Sequence, residues 1–90
     1  MKYTQITTLY VRGRQFFIVR NADGFYLAVE DKYIDKNGKC KQALNGLQMH
    51  AAKDLNNCIN TTKMCVEVDY LETQGMSRNE AMRTVLNAYA

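Results

Sequence analysis

NGLQMHAAKDLNNCINTTKMCVEVDYLETQG, residues 45 to 75, carries a helical period almost from end to end. At about 100° per residue, Ala51, Ala52, Leu55, Cys58, Ile59, Thr62, Cys65, Val66 and Tyr70 fall on one broad face. The stretch therefore predicts a single long amphipathic helix. Asn45 with Gln48 has the look of a capping box at its start, and Gly75 supplies a left-handed stop after Gln74. Such a helix has about 29 residues and a length of roughly 43 Å. Met64, Val68 and Leu71, spaced i, i+4, i+7, form a second stripe almost opposite the first. The second half of the helix thus asks for packing partners on two sides.

Working outward, the segment before this helix is strand-like. Residues 3–12 (YTQITTLYVR), 15–21 (QFFIVRN) and 25–30 (FYLAVE) are rich in β-branched and aromatic types. Turns at Arg12-Gly13-Arg14 and Ala22-Asp23-Gly24 separate them, and Asp-Gly is among the strongest hairpin signals. Three sequential strands with short turns make an antiparallel meander. Its middle strand is apolar on both faces, Phe17 and Val19 on one and Phe16 and Ile18 on the other, as in strands covered from both sides. After Gly75, Ser77 stands as N-cap with Glu80 closing a capping box and Met76 as the staple. A second helix follows, with Ala81, Met82, Val85, Leu86 and Tyr89 on one face. It should turn back over Met64, Val68 and Leu71.

The expected fold is α+β: a three-stranded antiparallel meander, extensible to four strands, followed by a long helix and a shorter C-terminal helix in a helical hairpin. It is read as one domain over 1–90, with the meander over 1–30 and a basic loop or short strand over 31–46. The long helix is placed over 47–74 and the last helix over 77–90. Met64, Val68, Leu71, Met82 and Leu86 are the expected helix-packing or oligomer contacts.

Composition narrows the function. The 90 residues are 47% hydrophobic, with net charge +3, no proline and three cysteines. That is a globular domain, without the roughly 20-residue apolar run of a membrane span or the apolar core of a signal peptide. An odd cysteine count predicts reduced thiols and a cytoplasmic setting. The modest positive charge excludes DNA mimicry and falls short of a dedicated nucleic-acid binder.

No constellation carries chemistry. His50 and Cys40 lack the third group of a catalytic arrangement. His50, Asp54, Cys58 and Cys65 spread over roughly 22 Å of helix, too far for one metal ion. Asp31, Asp35, Asn37 and Gly38 lack the closing glutamate of a calcium loop, Gln42 and Ala43 standing there instead. The expectation is a non-enzymatic binding protein with no cofactor and no membrane association. Arg12, Arg14 and Arg20 near the first hairpin, with Lys36 and Lys39 in the loop, are the candidate partner-binding residues. Tyr10, Phe16 and Tyr26 could share a sheet face and stack single-stranded nucleic acid, although a buried core role is the stronger reading.

One resemblance is local. Gly75-Met76-Ser77-Arg78-Asn79-Glu80-Ala81-Met82-Arg83 resembles the second helix of ribbon-helix-helix repressors, often Gly-x-Ser-Arg-x-Glu-Ala-x-Arg. It covers about 15 residues, mostly a capping box and a helical stripe. That family has a DNA-reading strand shortly before its first helix, and here the place, Asn56 to Thr61, reads as helix, so no DNA-contacting residue is carried over. The resemblance implies a small dimeric DNA-binding regulator. Small, proline-free, asparagine-rich domains are also similar, as a class, to accessory proteins of phages and mobile elements, anti-CRISPR inhibitors among them. That likeness implies a protein that covers a host protein or nucleoprotein, and it is the leading expectation. A homodimer is expected on other grounds: the two-sided helix, long enough to overhang the sheet, and the two-sided middle strand ask for more cover than 90 residues easily provide.

Overall fold

The computed structural model describes residues 4–31 and 51–89. Four antiparallel strands lie side by side in chain order: β1 (Thr4–Val11), β2 (Arg14–Arg20), β3 (Tyr26–Glu30) and β4 (Ala51–Ala52). Two helices follow, α1 (Leu55–Thr73) and α2 (Arg78–Tyr89). The protein is α+β, a meander followed by a long and a short helix.

Turn chemistry sets the registers. Arg12 (φ 47°) and Gly13 (φ 76°) both lie in the left-handed region, as the tightest two-residue hairpin loops require. With that loop Val11 faces Arg14 and Tyr10 faces Gln15. The second turn is built on Asn21, whose Oδ1 accepts from the N–H groups of Asp23 and Phe25, both at 3.0 Å. Gly24 at φ 85° completes it, which is why Asp-Gly reads so strongly there. An irregularity between Gln5 and Thr7 leaves Ile6 unpaired with β2 and exposed.

Helix α1 begins later than its periodicity suggests. Asp54 is the N-cap, its Oδ2 accepting from Asn57 N–H at 2.9 Å. The expected start at 47 is corrected on that ground: Ala51 and Ala52, which fall in phase with the apolar stripe, pair instead with Leu27 and Tyr26. The helix has 19 residues, about 28 Å, so it matches the sheet rather than overhanging it. The expected loop over 31–46 lies outside the described residues apart from Asp31. So do Lys36, Lys39, Cys40, the Asn45–Gln48 cap and His50. A fourth strand is described at Ala51–Ala52, outside the 31–46 stretch.

The C-terminus of α1 is a Schellman motif: Met76 N–H donates to Leu71 O and Gly75 N–H to Glu72 O, both at 3.1 Å, with Gly75 at φ 97°. Ser77 then caps α2, its Oγ accepting from Glu80 N–H at 3.2 Å. Both features sit where the sequence places them.

The layers follow from α1 having two apolar faces. Leu55, Cys58, Ile59 and Val66 pack on the sheet face formed by Leu9, Val11, Phe16, Ile18 and Ala28. Burying side chains such as Phe16, Ile18 and Val66 is worth about 1.5–3 kcal/mol each. Thr62 is fully buried among them, and its hydroxyl is satisfied by donating to Cys58 O at 2.7 Å. On the far side of α1, Val68, Ala81 and Val85 form a second cluster with Met64, Leu71 and Met76. The order is sheet, α1, α2. On the opposite sheet face Val19, Leu27 and Val29 are also buried, so β2 is apolar on both sides as its alternation predicts.

Candidate binding surfaces

Two surfaces stand out, one at the Arg12–Gly13 end of the sheet and one between the helices. The first is organised by carboxylates on α1. Glu67, Asp69 and Glu72 occupy its last two turns, where the negative end of the helix dipole disfavours them. Each is matched by an arginine. Arg12 Nε donates to Glu67 Oε1 at 2.7 Å, and its guanidinium lies 3.8 Å over the Tyr70 ring. Arg14 grips Glu30 with Nη2–Oε1 at 2.8 Å and Nε–Oε2 at 3.0 Å, and donates from Nη1 to Asp69 at 3.1 Å. Arg78 joins the network through Glu72 at 2.7 Å and Asp69 at 3.9 Å.

These bonds raise both hairpin arginines above the usual guanidinium range. For Arg14 the bond to Glu30 is the largest cause and desolvation opposes it; for Arg12 it is the bond to Glu67. Among the described residues three guanidiniums meet four carboxylates here, so these side chains balance one another's charge rather than forming a basic patch. The expected cluster of Arg12, Arg14 and Arg20 is divided. Arg20 ends β2, about 20 Å from Arg14, where it stacks 5.8 Å over Tyr26. Lys53 lies over Phe25, 5.6 Å from the ring centre, and Lys36 and Lys39 are outside the described residues.

The aromatic platform does not form. Tyr10 is paired with Gln15 and points to the opposite face from Phe16 and Tyr26. Phe16 is sealed under α1. Tyr10 itself is 70% exposed.

The second surface is a groove of about 170 Å³ between α1 and α2. Thr61, Met64, Cys65 and Val68 form one wall, and Arg78, Met82, Val85 and Leu86 the other. Of the expected packing residues, Val68 is buried and Met64 and Leu71 half-buried, while Met82 and Leu86 remain exposed. Cys65 belongs to the groove rather than to the sheet-facing stripe. Burial raises the Cys58 and Cys65 thiols above their ordinary range, which keeps both protonated at neutral pH.

Among the described residues no group of three or more His, Cys, Asp or Glu could hold a metal ion. No described helix is long and apolar enough to cross a membrane. The residues missed in the sequence are Glu30, Glu67, Asp69 and Tyr70, which fix the arginines. Three carboxylates crowded into the wrong end of a helix were the available signal. The strand ahead of α1 is the two-residue β4, hydrogen bonded to β3 within the sheet. Comparison with known protein families, with characterised proteins and with solved structures gave no match.

Proposed function

We propose that this chain is a non-enzymatic binding protein that covers a surface of a host protein or nucleoprotein, as an inhibitor or accessory factor of the anti-CRISPR kind. In this reading it acts in the cytoplasm as a homodimer, without a cofactor, and meets its partner with the Arg12–Gly13 turn and Tyr70. One observation carries it. Arg12 holds a left-handed φ of 47° in a loop where asparagine or glycine is easier, and its guanidinium is fixed over an exposed tyrosine by Glu67. Arginine and tyrosine held in place in advance are the residue types that dominate protein interfaces, because little freedom is lost on binding. The balanced charge at this end favours a protein partner over bare phosphate.

Arg12→Asn suits the turn while removing the guanidinium, and Tyr70→Ala removes the ring. Wild-type protein on a resin should retain one protein from bacterial lysate after nuclease treatment. Both variants should lose it while melting as cooperatively as wild type. Undiminished retention by both variants would overturn the proposed surface. Loss of all retention on nuclease treatment, with affinity falling steeply in salt, would instead favour the dimeric DNA-regulator reading.

A further inference from the structure

Helix α2 uses only half of its apolar stripe. Ala81 and Val85 are buried against α1, while Met82, Leu86 and Tyr89, at i, i+4 and i+7, are 42%, 52% and 47% exposed. These three form a ridge along the outer flank of the groove. They leave roughly 300 Å² of mostly apolar surface bare, on the scale of the largest such patch on a typical monomer. One side of a standard interface covers about 800 Å², a little over half of it apolar. The ridge alone supplies about half of the apolar part of that requirement.

The chemistry of the groove narrows its occupant. Among the described residues its one charged lining residue, Arg78, is engaged by Glu72 and Asp69. A nucleic acid or an acidic segment is therefore offered no additional cation by these residues. The walls otherwise present methyl, methylene, thioether and thiol groups, with the Thr61 hydroxyl donating to Asn57 O. Met82 and Leu86 are also the α2 wall of the groove, so the ridge is the groove's own outer lip, extended by Tyr89. A two-fold axis that lays the lip of each copy into the groove of the other gives the reciprocal arrangement that a closed dimer requires. A 12-residue helix held by one alanine and one valine is also marginal by itself and gains most from being clamped.

We infer that the α1–α2 groove is a self-association site, in which a second copy of this chain seats its Met82–Leu86–Tyr89 ridge. The inference rests on reading the chain as a dimeric binding protein, and it assigns the dimer to a surface separate from the Arg12–Tyr70 end. The two copies meet through a layer of four helices, with a sheet on each outer side.

The test is sedimentation of the full chain over a wide concentration range at low and high salt. A dimer is expected whose dissociation constant changes little with salt. Leu86→Asp should raise that constant at least about tenfold. Tyr89→Lys lies in the last turn of α2, outside both buried clusters and where the helix dipole favours a cation, so it tests the ridge without threatening the fold and should weaken the dimer as well. A chain that is monomeric at every concentration overturns the inference. So does a dimer that survives both substitutions with an unchanged melting curve. A monomer that still captures its partner through Arg12 discards the dimer and keeps the function. A dimer that captures nothing does the reverse.

Discussion

Arg12 and Arg14 flank one glycine and both contact α1, yet their environments separate them. The Arg14 side chain is less exposed, forks onto Glu30 and reaches Asp69, a geometry that lysine cannot reproduce. Arg12 lies open to water, where an ion pair adds little to stability. Arg14→Met should therefore lower unfolding free energy by about 1–3 kcal/mol, and Arg12→Met should lower it measurably less. Urea denaturation of the two variants decides this, and equal losses would contradict the division of labour. The sequence shows both arginines at a turn but not their partners, because Glu67 and Asp69 lie 55 residues further along the chain. Tyr10 cannot share a face with Phe16 and Tyr26 for a simpler reason. A two-residue loop pairs residue 11 with 14 and 10 with 15, so an even position shares its face with an odd one.

At the level of elements, start signals compete. The apolar period runs unbroken through Ala51 and Ala52, and alanine is the best helix former, so periodicity alone extends α1 too far. Asp54 overrides it with a charged acceptor aimed at the first unsatisfied N–H groups. Asp54→Ala should cost about 1 kcal/mol and reduce helix signal in circular dichroism at the start of the melt. Unchanged stability would mean that the strand pairing of Ala51–Ala52, and not the cap, sets the boundary. The end of α1 and the start of α2 were legible because Gly75, Met76, Ser77 and Glu80 each have one conformational use in that order. The strands were legible because β-branched and aromatic runs lie between turns of fixed type.

Across the whole molecule, attachment is uneven. Helix α1 is packed on both sides, whereas the buried residues of α2 belong to its cluster with α1. Local opening should follow that gradient. In hydrogen exchange, α2 amides should exchange before those of α1 and β2, and should slow as protein concentration rises and the groove fills. Uniform protection of all three elements would contradict the gradient.

The sheet–α1–α2 order also has a consequence in time. The ribosome delivers β1, β2 and β3, with both turns, before any of the helix that covers Phe16 and Ile18. Val66 trails Glu30 by 36 positions, a delay of roughly 2 to 7 s at ordinary rates of synthesis. During that interval the strands have no α1 to pack over Phe16 and Ile18. The sheet face that forms the main core is thus complete in sequence well before the helix that seals it.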